Sequence, residues 1–361
     1  MNNFIRNIFI GIVSLIIVAF ILNIMPGYER DKYEGEIQLV IGENNVTENL
    51  KNSVYINENG IIYLSKDDIK QFFDENIYYD DVNNQIITTS DVKVAKMKFN
   101  NKTIQINDKT EELIGSLIKI NEQLYIPISE LGEVYNIETK YIEETKIVVI
   151  DRLDEGAIKA TVTENVDMKY KARKLSKTIL TINKGTKVDC FYTTSKGWRQ
   201  IRTEEGQVGY IKANMLENEV IIRQDIEKKS EALDISINYE EVNNINEKEV
   251  IFKDLFAKYE PTEKEVWGII DDSSFGTQFS QNLENYETRS TAINTIVDTV
   301  KEKEVKGIQI DISEVENNEM LLRFIIELAP RLREMGVATS VKLNDLERDS
   351  IKNVVDYIVS E

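Results

Sequence analysis

Histidine is absent from the 361 residues, and cysteine occurs once, as Cys190. Without His there are no imidazole-based zinc sites, no Ser-His-Asp or Cys-His machinery, and no ordinary switch near neutral pH. A lone Cys excludes an internal disulfide and any Cys-cluster metal site. Positive charge is in deficit, with 44 Lys+Arg against 63 Asp+Glu and a net charge of −19. That balance argues against a sequence-independent nucleic-acid binder, which needs a basic face. Carboxylates, Lys, Tyr, Ser and Thr remain as catalytic groups, and neither a cofactor nor a metal is expected. What is present fits folded domains. Hydrophobic residues make up 42% and charged residues 30%, enough to bury cores rather than leave the chain disordered. The length predicts about two or three domains.

The longest apolar run is Ile8 to Met25, IFIGIVSLIIVAFILNIM, which carries no charge and is stopped by Pro26-Gly27. As a helix it would be about 27 Å long, near the thickness of a hydrocarbon core. The expectation is a transmembrane helix in residues 8–25, within a 1–35 tip, anchor and linker. Arg6 and the α-amino group precede the run, which places the N-terminus inside and the bulk of the chain outside a single-pass cell-membrane protein. The alternative is a cleaved signal peptide. Its apolar region would be shorter, and Leu22 to Pro26 offers no small-x-small site. Abundant Ile, Asn, Lys and Glu with scarce Pro and Trp look like the composition of an AT-rich Gram-positive bacterium.

Residues 61–90 and 123–152 align without a gap at an offset of 62. Tyr63 matches Tyr125, Ile69 matches Leu131, Phe73 matches Tyr135, Tyr79 matches Tyr141, and Ile86-Ile87 match Val148-Val149. Each copy reads as strand, short amphipathic helix, strand, strand. Ile69, Phe72 and Phe73 share one helical face, and the closing strands are β-branched. A unit of about 35 residues is too small to bury a core alone, so the α+β pair packs together. Leu124 to Ile150 and its partner copy resemble the stalk domain, also called the copper amine oxidase N-terminal-like domain, over residues 36–152. The resemblance implies a spacer or adhesive module and, with no His to bind it, no copper. A ligand site lined by Tyr78, Tyr79 and Tyr141 is the alternative to their use as core or sheet surface.

Residues 156–217 hold short β-rich runs at about ten-residue spacing, broken by Asn183-Lys184-Gly185, Ser195-Lys196-Gly197 and Glu205-Gly206. The pattern predicts a small all-β barrel. Val166 to Lys169, Asn183 to Thr186, Gly197-Trp198-Arg199-Gln200-Ile201 and Gly206 to Ile211 resemble a bacterial SH3 domain. That resemblance implies binding to peptidoglycan or wall peptides, with Trp198, Tyr192 and Tyr210 as candidate ligand-binding residues. Trp198 and Tyr210 also suit a small core, and Cys190 reads as an inert small hydrophobe. A charged linker is expected over 218–231.

Residues 232–361 alternate strands with helices, which predicts an α/β domain with a parallel sheet. Gly336 is placed to end the helix over 317–335 as a left-handed residue. Gly307-Ile308-Gln309-Ile310-Asp311-Ile312-Ser313-Glu314-Val315 resembles the fourth-strand motif of family 18 glycoside hydrolases, in the branch of spore-cortex and cell-wall glycosidases. Trp267 to Asp271, Arg289, Phe324 to Pro330 and Gly336 to Val341 support it. The resemblance implies a barrel-derived fold, truncated because a full (β/α)₈ barrel needs about 250 residues. It also implies catalysis by an Asp and a proton-donating Glu two residues apart, where side chains share one face of a strand. Asp311 takes the Asp position, but Ser313 stands where the Glu belongs. Glu314 comes one residue late and faces the mouth only through a bulge.

The chain therefore reads as a membrane-tethered wall-binding protein, probing peptidoglycan or a related glycan and carrying an inactive hydrolase-like domain. The alternative is an active glycosidase of the N-acetylglucosaminidase or chitinase type, using Asp311 and Glu314. An incomplete parallel sheet has exposed edges, so a protein partner covering it is a further expectation.

Overall fold

The computed structural model describes Val13 and residues 35–258, 262–275, 283–313, 317–343 and 346–359. Strands predominate among these residues, with twenty-seven strands against five α-helices. The chain forms two compact units, one of residues 35–65 with 131–227 and one of 66–130 with 228–359. The expected transmembrane segment 8–25 lies, apart from Val13, outside the described residues. No helix among the described residues is long and apolar enough to cross a membrane. On that finding the expected single-pass placement in a cell membrane is not supported.

The internal repeat is visible as backbone register. In the first copy Lys66–Phe72 is helical, and Tyr78–Asp80 pairs with Gln85–Thr89 so that Tyr78 faces Ile87 and Tyr79 faces Ile86. In the second, Ile137–Ile142 pairs with Ile147–Arg152 so that Lys140 faces Val149 and Tyr141 faces Val148. Each pair is displaced by the same 62 residues that separate the copies in sequence. The surroundings then diverge. Gln85–Thr89 continues into an antiparallel meander through Val94–Lys98, Thr103–Ile106 and Lys109–Glu112, whereas Ile147–Arg152 takes Gln38–Ile41 as a parallel neighbour.

The all-β segment is a seven-stranded antiparallel sheet around Met168, Val188, Cys190, Ile201 and Ile211. Its last strand, Leu216–Arg223, pairs with Ala157–Val162, so part of the expected linker belongs to the sheet. Within this unit the sheet packs on the second repeat's hairpin. Gly206, at φ +80°, comes so close that a Cβ would lie about 3 Å from Ile142, Ile147 and Val149. Beside it the buried Arg202 makes a two-pronged contact with Asp151, 2.9 Å for each prong. It also donates to Gly42 O at 2.8 Å and meets Asp189 at 3.0 Å.

The C-terminal segment departs from expectation. It is an open, mixed seven-stranded sheet and not part of an α/β barrel. Its order runs Leu233–Ile235, Tyr357–Val359, Ala338–Lys342, Gly307–Asp311, Glu265–Asp271, Lys248–Asp254, Asn243–Ile245. The first strand lies parallel to the last in sequence and not beside the second, and Asn243–Ile245 is antiparallel to its neighbour. Three helices accompany it among the described residues, Tyr286–Lys303, Asn318–Glu334 and Arg348–Ile351, too few for the helix-per-strand pattern of a barrel. Ile308, Ile310, Val341 and Ile358 form a dry core with Ile296, Phe324 and Leu328 of the two long helices.

Candidate functional site

Strand pleating sends alternate residues to opposite faces. Ile308 and Ile310 go to the helices, which leaves Gly307, Gln309 and Asp311 for the other face. Gly307 is required there. A Cβ on it would sit 2.3 Å from the Trp267 ring, so the indole lies across the neighbouring strand. Trp267 meets Phe252 edge-on at 5.9 Å and Tyr357 at 5.7 Å. Asn246, in the turn beside one margin of the sheet, donates to the Tyr357 hydroxyl, four strand spacings away. On a flat sheet that is about 19 Å, so the sheet curls around this aromatic layer. Above it Gln309 is fully buried, taking a hydrogen bond from the Ser340 hydroxyl and donating to Ile310 O at 3.2 Å.

Asp311 comes next, at the C-terminal rim where parallel sheets carry function. Tyr239 O–H donates to its Oδ2 at 2.9 Å, and Lys342 Nζ lies 3.7 Å from Oδ1. Burial pushes the Tyr239 phenol far above its ordinary pKa, and the Asp311 carboxylate adds to the shift. Tyr239 therefore stays protonated and donating. Asp271 faces Asp311 in the adjacent strand. Burial pushes its carboxyl up, but donors from Ser273 and Ser274 outweigh it and hold the group below its ordinary value. Ser313 turns to Asp272, its hydroxyl donating at 2.8 Å and its N–H at 3.1 Å to each oxygen.

Of the residues singled out from sequence, Asp311 thus lies at the rim and Ser313 beside it, while Glu314 falls outside the described residues. Sequence reasoning did not single out as site residues Tyr239, which lies in a turn with its ring against Phe252, Lys342 or Asp272. The one legible signal was the Asp271-Asp272 pair ending a buried strand. No group of three or more potential metal ligands occurs among the described residues.

The second candidate lies on the seven-stranded antiparallel sheet. Tyr192 is half-exposed, and its hydroxyl is 2.8 Å from that of Tyr210, with the rings edge-to-face at 6.4 Å. Burial, then the bond to Tyr192, pushes the Tyr210 phenol up to about 12. Trp198 is 7% exposed and capped by the Lys212 ammonium at 4.6 Å, so it fills structure rather than offering a face. Cys190 is likewise buried, its thiol pushed up to about 11 by that burial.

Residues 36–150 match the family model of the copper amine oxidase N-terminal domain, a general, non-catalytic domain. No curated protein and no solved structure matches the chain. The copper of the family's name does not fit these residues, since the chain has no His and the described residues hold no ligand cluster.

Proposed function

We propose that this chain is a non-hydrolytic glycan-binding protein, in which the seven-stranded antiparallel sheet binds wall glycan and the C-terminal sheet does not cleave it. The observation that carries the reading is the state of Ser313. Two residues beyond Asp311, where a proton-donating carboxylic acid would be needed, a hydroxyl is tied to Asp272, and an alcohol does not protonate a glycosidic oxygen at neutral pH. The partly exposed Tyr192–Tyr210 pair supports adhesion, because tyrosines offer an apolar face with a polar tip. Mixing the protein with purified peptidoglycan is expected to carry it into the pellet without releasing reducing ends. Tyr192→Ala with Tyr210→Ala should lower the retained fraction about tenfold, as for loss of an aromatic anchor.

The glycosidase reading is favoured by one feature, the protonated Tyr239 held on Asp311. Release of reducing ends that disappears in both Asp311→Asn and Glu314→Gln would establish it over binding alone.

A further inference from the structure

The first unit holds a cleft of about 410 Å³ between the second repeat's hairpin and the barrel, within the size range of small-molecule sites. It is separate from both sites above. Its floor is neutral. Arg202 and Lys159 are matched against Asp151 and Asp189, with Lys159 Nζ 3.7 Å from Asp189. The floor therefore selects neither charge.

The rim differs. Glu138 and Lys140 project from the same face of one strand, two residues apart. Lys187 opens a barrel strand, and Glu204 lies in the turn that follows Arg202–Thr203. None of these four has an ion-pair partner among the described residues. Two unpaired cations and two unpaired anions thus surround one mouth, although the chain as a whole is strongly acidic. A ligand of a single sign would meet as much repulsion as attraction, whereas one carrying both signs can satisfy each. The lining also contains Thr203, 3% exposed, whose buried hydroxyl has no hydrogen-bond partner among the described residues. Buried polar groups are normally partnered, so this hydroxyl supplies a waiting polar contact that does not depend on the charges.

We infer that this cleft binds a small zwitterion, an amino acid or short peptide with a free ammonium and a free carboxylate. Lys140 and Lys187 receive the carboxylate, Glu138 and Glu204 the ammonium, and Thr203 a polar atom between them.

Calorimetric titration of the full-length protein with alanyl-alanine, its N-acetyl form and its C-terminal amide tests the assignment. Saturable binding of alanyl-alanine is expected, with each blocked form weaker by about tenfold. Lys187→Gln should narrow the gap between the dipeptide and its amide, and Glu138→Gln the gap with the acetylated form. Thr203→Val should weaken the dipeptide about threefold to tenfold. Both rim positions are exposed, so these variants probe charge without disturbing a core. No saturable binding at millimolar dipeptide, or equal binding of free and blocked forms, overturns the inference. Wall pelleting is a separate readout, and its success or failure does not bear on this cleft.

Discussion

Gly307 is small because Trp267 occupies the space above it. Gly307→Ala forces a methyl group into an indole and is expected to cost about 1–3 kcal/mol, as overpacking does, seen as a lower urea midpoint. Asp74 illustrates the opposite balance. Burial pushes its carboxyl up, and donors from Thr88, Thr89 and Asn76 only partly offset this. A raised folded pKa means that its contribution to stability is present at low pH and is lost as pH rises from the ordinary carboxylate range through the raised value. Asp74→Asn should therefore flatten that fall in urea titrations run upward in pH from the ordinary carboxylate range of about 4. Arg202 is a third instance. Two carboxylates and a carbonyl depend on it, and removing one partner of a buried ionic cluster costs about 3–5 kcal/mol. Arg202→Ala should show a loss of that order in equilibrium unfolding.

At the level of elements, periodicity and punctuation were legible and neighbours were not. The helix Tyr286–Lys303 opens on Asn285, whose side-chain oxygen accepts from Thr288 N at 3.1 Å. Asn285→Ala is expected to cost about 1 kcal/mol in chemical denaturation. Gly336, at φ +72°, closes the next helix as its position suggested. The repeat foretold a shared hairpin register because the same residue types recur at the same spacing. Sheet order was hidden, since Leu233 to Ile235 carries no mark of its eventual neighbour, and a pleat gives parity without curvature. Tyr239 was missed for the same reason, reaching Asp311 across 72 residues of chain. The Leu216–Arg223 margin strand exposes Val220, Ile221 and Ile222. Two register shifts against Ala157–Val162 and the acidic Glu217 and Glu219 blunt it, as edge strands are commonly protected. Ile221→Lys should change stability by less than about 0.5 kcal/mol, measured by urea titration.

For the whole molecule, the excess of 19 negative charges sets how it meets a charged polymer. Anionic polymers repel it at low ionic strength, and salt screens that repulsion. Retention on such polymers is therefore expected to rise with added salt, the reverse of an electrostatically driven adhesin. A pelleting series across salt concentrations checks this.

The packing of the indole at position 267 also gives each half of the protein its own light source. The chain contains two tryptophans, Trp198 in the antiparallel sheet of one unit and Trp267 in the curled sheet of the other. Replacing either with Phe leaves emission from one unit alone, so fluorescence can report whether the two halves melt together or in turn.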